Sequence, residues 1–339
     1  MASLYDVAKR AGVSKTLVSR VIGNKSGVSE KSRARILAAM EELNYTPNAL
    51  AQSLVLKKTN TIGVVLDSLS DPFFSELING IEHEVAKTEY NVIFCSGHDH
   101  MNLKNRYITY MMQGRVDGII IFGSYYDDEE LIRQIEQSRF PAVVAENDLA
   151  GTGIAINNIV VDNEYGSQLA VDYLFSRGCR SIYHLVGETR VKAAMDRLKG
   201  YRKAMAAHGV QVDGSMLLDG GFDVQPGYQA MAQWLEEHGP QALPDAFYCG
   251  ADKAAFGAMM ALEDAGIPVP ERVMLVGFDD DKPLSVDRPL KKLTTLSQPL
   301  YQIGVTAVKL LLGEMENRGG AKQRLVFSPK LIIRDTTRN

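Results

Sequence analysis

The run Leu4-Tyr5-Asp6-Val7-Ala8-Lys9-Arg10-Ala11, followed by Gly12-Val13-Ser14 and Lys15-Thr16-Leu17-Val18-Ser19-Arg20-Val21-Ile22, decides the reading of this chain. Leu4, Val7, Ala8 and Ala11 recur at i, i+3, i+4 and i+7, one apolar helical face, and Ser3 with Asp6 forms a helix start signal. Gly12 ends that helix, and Ser14 is placed to cap a second. The second divides by face, with Leu17, Val18, Val21 and Ile22 on one side and Lys15, Thr16, Ser19 and Arg20 on the other. A third helix is expected from its cap Ser29 through about Leu43, turning Ile36, Leu37, Met40 and Leu43 inward, and Pro47 stops the chain soon after. Three such helices close a small core and leave a basic, hydrogen-bonding face outside. That face suits a DNA recognition helix; a helical hairpin of any other purpose is the plainer alternative.

The charge distribution favours the nucleic-acid reading. Residues 1–58 carry ten Lys or Arg against four Asp or Glu, a balance of +6, while the rest of the chain carries −10 within a net −4. A basic head on an acidic body is expected where one end meets a polyanion. The 339 residues are enough for two or three domains. There is no signal-peptide pattern and no run near about 18 apolar residues, so a cytoplasmic protein without membrane contact is expected. Cys95, Cys179 and Cys249 are few and widely spaced, which suits reduced thiols better than disulfides or a metal site, and no metal or cofactor is called for.

After Pro47 the short apolar stretch Asn48 to Lys58 reads as a linker helix too short to be stable alone. Thr61-Ile62-Gly63-Val64-Val65-Leu66 then opens a different regime. Short β-branched runs at Asn91–Cys95, Gly118–Phe122, Ala142–Ala145, Ile159–Val161, Ser181–Val186, Ala246–Cys249 and Val273–Gly277 alternate with helical patterns such as Phe73–Lys87, Leu103–Gln113, Glu164–Arg177 and Asp252–Ala265. Continuous apolar strands between helices mean parallel sheets covered on both faces, here more units than one sheet needs. Two lobes with a ligand cleft at the strand ends follow, and Asp67, Asp71, His98 to His100, Ser124, Glu146, Asp252 and Asp279 stand just past those ends.

These residues resemble the LacI/GalR family of bacterial transcription regulators along essentially the whole chain. The resemblance rests on Leu4 to Ala8, Ala11 to Ser14, Val18 to Val21, Val28-Ser29, Leu43 to Asn48 and Ala51 to Leu54, then on Asp71-Pro72-Phe73-Phe74, Val116-Asp117-Gly118-Ile119, Gly277-Phe278-Asp279-Asp280 and Leu293 to Pro299. It implies a helix-turn-helix domain over 1–46, a hinge helix over 47–58, and a core over 59–339 similar to periplasmic sugar-binding proteins. One lobe would take about 59–159 and 297–322, the other about 160–292 and 323–339. The implied DNA-binding set is Tyr5, Ser14, Lys15, Thr16, Ser19 and Arg20, with Asn48, Ala51 and Leu54 from the hinge, where Leu54 is the wedge that opens a central base step of a palindromic operator. The implied effector-binding set is Asp71, Phe73, Ser124, Glu146, Arg197, Phe222, Asp252, Asp279 and Gln298. With no heptad segment after the last strand pattern, Arg324 to Asp335, a homodimer is expected.

The sequence departs from the family pattern at Glu146, where Asp is more usual, at Ala251, where Asn often meets sugar hydroxyls, and at the loop His98-Asp99-His100. A sugar or sugar derivative unlike the common hexose ligands is therefore expected, with an anionic or larger ligand using His98 or His100 as one option. The function read from the sequence is a ligand-controlled transcription repressor, with carbohydrate-utilisation genes as the expected targets. A soluble sugar-binding receptor is the alternative; catalysis has little support, because no nucleophile and base are paired by spacing.

Overall fold

A computed structural model of the chain describes residues 2–23, 26–46, 58–97, 101–123, 125–283, 287–317 and 319–338. It divides into two compact units, the first holding the residues up to Asn60 together with Gly114–Val116 and the second the rest of the chain, which is α/β.

The first unit contains helices α1 (Leu4–Ala11), α2 (Lys15–Ile22) and α3 (Glu30–Glu42). Each start is fixed by a serine. Ser3 and Asp6 form a reciprocal capping box, Ser14 Oγ accepts from Leu17 N at 3.2 Å, and Ser29 Oγ accepts from Ser32 N at 3.3 Å. Gly12 ends α1 in the left-handed conformation that glycine adopts without penalty (φ 63°). Val7, Ala8, Ala11, Val18, Val21, Ile36 and Ala39 form the core. Leu37, expected inside, is 51% exposed. The inward stripe of α3 runs through Ile36, Ala39, Met40 and Leu43, and Leu37 lies about 100° around the helix from Ile36.

The second unit has two six-stranded sheets. The first joins β1 (Thr61–Leu66), β2 (Asn91–Ser96), β3 (Gly118–Phe122), β4 (Ala142–Ala145), β5 (Asn157–Val161) and β11 (Arg324–Phe327) in the order β11-β5-β4-β3-β1-β2, all parallel. The second joins β6 (Ile182–Val186), β7 (Leu217–Asp219), β8 (Ala246–Cys249), β9 (Met274–Asp279), β10 (Thr294–Ser297) and β12 (Lys330–Ile332) in the order β12-β10-β9-β8-β6-β7. Only its edge strand β12 is antiparallel. Helices pack on both faces of the sheets, as buried parallel strands require.

The chain passes between lobes after β5, after β10 and between β11 and β12. The third crossing thus lies beyond Phe327, not at residue 323, and β5 carries the first lobe to Val161, not 159. What reads as one terminal strand from Arg324 to Asp335 is two strands in different sheets. Ser328-Pro329 separates them, and Pro has no N–H with which to continue a ladder. β7 and β10 are strands that the hydrophobic pattern does not mark. Among the described residues the three cysteines are unpaired, and no helix is long and apolar enough to cross a membrane.

Candidate functional site

The outer face of α2 presents Lys15, Thr16 and Arg20 exposed and Ser19 half-buried, while Val18 and Val21 face the core. Tyr5 on α1 is 56% exposed and lies beside this face, with Lys15 Nζ 4.7 Å from its ring centroid. Arg20 donates through Nη2 to the Ser26 carbonyl at 2.9 Å, so its guanidinium is carried on the turn that follows α2. Arg10 pairs with Glu42 at 2.7 Å and Arg35 donates to the Ala11 carbonyl, which ties α3 to α1 away from the basic face. Ser14 faces out but its hydroxyl is engaged as the cap. Asn48, Ala51 and Leu54, the hinge part of the expected set, lie outside the described residues.

In the second unit the carboxyl ends of both sheets meet a cleft of about 720 Å³. From the first lobe come Asp71 and Phe73 after β1, Gly123 and Tyr125 after β3, and Glu146 after β4. From the second come Phe222 after β7, Ala251 and Lys253 after β8, Asp279 at the end of β9 and Asp281 after it, and Arg197 from the Lys192–Ala207 helix. This is the position that a doubly wound sheet gives its ligand, at the ends of strands on either side of the switch in strand order.

Arg197 is the fixed point of the cleft. It is 4% exposed and is held in three directions: Nε donates to Asn163 Oδ1 at 2.9 Å, Nη1 to the Gly250 carbonyl at 2.6 Å, and Nη2 lies 3.2 Å from Asp279 Oδ1. Its guanidinium also stacks 3.8 Å from the Phe278 ring centroid. Gln298 Nε2 donates to the same Asp279 oxygen at 2.6 Å. Burial raises the Asp279 carboxyl to about 6, against the opposing pull of Arg197 and Gln298. Glu146 is 8% exposed at φ 67°, and its Oε1 has no hydrogen-bond partner. Burial drives its carboxyl up to about 7, with Arg197 pulling down and Asp279 pushing up.

The aromatic wall has local causes. Phe222 packs on Val191, Ala193 and Ala194, and a Cβ on Gly187 would stand 2.6 Å from its ring, so a residue without a side chain is needed there. Phe73 meets Phe74 edge-on at 5.0 Å, and Asp71 Oδ1 caps this turn by accepting from Phe73 N at 3.0 Å. Beneath the first lobe's wall Lys104 is buried between Asp128 at 2.6 Å and Asp67 at 3.7 Å.

Asp71, Phe73, Glu146, Arg197, Phe222 and Asp279 are thus brought together, and Ser124, like His98 to His100, lies outside the described residues. Asp252 and Gln298 are corrections, since neither lines the cleft. Asp252 is fully buried, accepting from Thr295 Oγ1 at 2.6 Å and Asp281 N at 2.8 Å, and burial holds its carboxyl well above the usual range. It braces the loop after β9 from behind, against Gly277, where a Cβ would stand 2.0 Å from its Oδ1. Gln298 acts through Asp279. Lys253, which the sequence reading missed, bridges the lobes: its Nζ lies 2.5 Å from Asp71 Oδ2 and 3.8 Å from Asp223. Its position one residue beyond the strand-end Asp252 was the available signal.

The comparisons agree with both units. Residues 3–48 match the model for bacterial regulatory proteins of the lacI family, and residues 171–337 match that of a periplasmic binding protein-like domain. The chain is 34% identical over 340 residues to the HTH-type transcriptional repressor PurR of Proteus mirabilis (strain HI4320), covering 98% of this chain and 96% of the relative. The lac repressor dimer bound to operator and the anti-inducer ONPF superposes with a TM-score of 0.85 at 29% identity over 99% of each chain. A complex of the regulator CelR with cellobiose gives 0.73 at 25% identity, over 99% of this chain and 100% of that one. With a capped helix-turn-helix unit at its start, a two-lobed cleft in its second unit and repressors matched over nearly their whole length, this chain belongs to the LacI family and is a DNA-binding transcription repressor, not an enzyme.

Proposed function

We propose that the chain acts as a cytoplasmic homodimer on a palindromic operator, and that a sugar or sugar derivative in the cleft controls its affinity for that DNA. The observation that carries the effector reading is Arg197, buried, held by Asn163, Gly250 and Asp279, and lining the cleft together with Phe222. A fixed donor and a fixed acceptor beside a flat apolar ring suit a ligand with hydroxyl groups on one edge and C–H surface on a face. The cellobiose complex of CelR lends support from a related fold. Ala251 lines the cleft with a methyl group, so the ligand is not held there by a side-chain amide. Carbohydrate-utilisation genes are the fitting targets of such a repressor.

On the DNA side, Lys15, Thr16, Ser19 and Arg20 are assigned to the major groove and Tyr5 to the flanking backbone, with Asn48, Ala51 and Leu54 assigned to the minor groove. Lobe closure on the effector is the step that both sites share. Thermal-shift screening of the full chain against sugars and polyols tests the effector reading, because a ligand that binds only the folded state raises its melting temperature. Arg197→Ala is expected to abolish the response while operator binding persists in a gel-shift assay. A response undiminished by Arg197→Ala and Phe222→Ala puts the effector elsewhere.

A further inference from the structure

The cleft holds more carboxylate than cation: among its described lining residues seven are Asp or Glu and three are Arg or Lys. Much of that surplus is met locally, Asp71 by Lys253 at 2.5 Å, Asp67 by the buried Lys104 at 3.7 Å and Glu188 by Arg190 at 3.1 Å. At the buried base it is not. One guanidinium serves two carboxylates there, and Arg197 directs its donors to Asp279, Asn163 and the Gly250 carbonyl. Glu146, more than nine-tenths buried and lining the cleft, keeps Oε1 without a partner.

We propose that the effector carries a protonated amine beside its hydroxyl groups, and that Glu146 is the carboxylate that receives it. This rests on the reading of the cleft as the effector site and names the class of ligand. A buried carboxylate needs a counter-charge or a proton, and a neutral polyol supplies neither. An anionic ligand adds to the acid surplus, and at the buried base the cation beside it is Arg197, already committed, so the anionic option raised by the sequence does not fit the base of this cleft. An ammonium group offers three donors and the missing positive charge, and the ring of Phe222 adds a favourable face for a cation. Burial keeps the Glu146 carboxyl near 7, poised to release its proton when a cation arrives.

The test uses the full chain and matched probes: amino sugars of gluco, galacto and manno configuration and 1-amino-1-deoxyhexitols, beside their neutral parents, N-acetylated derivatives and 6-phosphates. The expected result is that an amine-bearing probe raises the melting temperature and binds at least tenfold more tightly by calorimetry than its neutral and N-acetylated counterparts. Glu146→Gln, which keeps shape and hydrogen bonding but not charge, is expected to reduce that affinity at least tenfold while the variant melts no lower than the parent at pH 8. Tighter binding of a neutral or phosphorylated probe, equal amine affinity in Glu146→Gln, or no response to any amine overturns the inference. A neutral sugar whose binding is lost in Phe222→Ala leaves the cleft reading standing while this inference falls. Binding of any probe that survives both Phe222→Ala and Arg197→Ala overturns the cleft reading itself.

Discussion

Glu146 occupies the left-handed region at φ 67°, which costs a residue with a side chain of order 1 kcal/mol, and it buries a carboxyl without a full set of partners. Both costs fall on a residue of the cleft wall, as expected where binding outranks stability. Its folded value of about 7 exceeds its ordinary 4.5, so the folded state keeps a proton that the unfolded chain releases. The resulting stabilisation is full below about 4.5 and is lost as pH rises through about 7. Glu146→Gln stays neutral throughout, and calorimetric melting is expected to place it a few degrees above the parent at pH 8 and level with it at pH 5. An equal gain at both values would show that charge is not the cause. In the DNA-binding unit, Arg20, assigned to the major groove, has the forked donors that match guanine O6 and N7, so Arg20→Ala is expected to cost roughly 1–3 kcal/mol on the specific site and to relax preference at one position in each half-site. Lys31→Ala is expected to weaken all sequences alike; competition binding at fixed salt separates the two outcomes. Residues of this kind were legible because charge and hydroxyl groups beyond strand ends, or on one face of a capped helix, have few structural uses. Asp252 shows the limit: it stands beyond a strand end like Asp279, but as the first residue of the Asp252–Asp264 helix it turns inward to Thr295, a direction that spacing does not encode.

At the scale of elements, paired glycines set how closely helices cross. The Ser75–Val85 and Leu300–Glu316 helices of the first lobe meet where a Cβ on Gly80 would stand 2.2 Å from the Tyr301 carbonyl and one on Gly304 would stand 2.3 Å from that of Leu77. Neither backbone can yield without parting the helices, so Gly304→Ala is expected to destabilise by about 1–3 kcal/mol. Gly313, nine residues on in the same helix, has open space around its Cβ position, and Gly313→Ala is expected to stabilise by about 0.5–1 kcal/mol. Urea unfolding of the two variants gives opposite shifts in midpoint if close approach is the cause, and shifts of one sign if helix propensity alone decides. The strands and helices with a full period of hydrophobic residues were readable from the sequence. β7 has only three residues and β10 reads Thr-Thr-Leu-Ser, with both threonines buried through hydrogen bonds to Thr336, Thr337 and Asp252. A strand whose burial is satisfied by hydroxyl pairing has no apolar signature. Leu37 fails for the opposite reason, as an apolar residue on the exposed side of a short helix.

At the scale of the whole core, the balance of the groups that join the two lobes decides whether the cleft is shut. Lys253 reaches Asp71 across the mouth, Tyr126 N donates to the Arg190 carbonyl at 3.2 Å, and Lys192 Nζ reaches the Asp148 carbonyl at 3.3 Å. The first of these carbonyl contacts is backbone to backbone and survives most substitutions, the second needs only the Lys192 side chain, and the Asp71–Lys253 pair needs both of its side chains. Lys253 and Asp71 are 18% and 24% exposed in their side chains, so their attraction is less screened than that of a surface pair, for which about 0–1 kcal/mol is usual. The pair exists only while the lobes are closed, so its free energy is part of the closing equilibrium, and a ligand that binds the closed form draws on it. Lys253→Ala is expected to enlarge the radius of gyration of the unliganded full chain in small-angle scattering and to weaken effector binding several-fold, whereas Lys253→Arg keeps both near the parent. Asp71→Asn acts alike, and because the two side chains share one interaction the double variant is expected to be little worse than either single one. Additive losses of affinity would show that Lys253 and Asp71 each meet the ligand directly, and that the lobes are held closed by the carbonyl contacts instead.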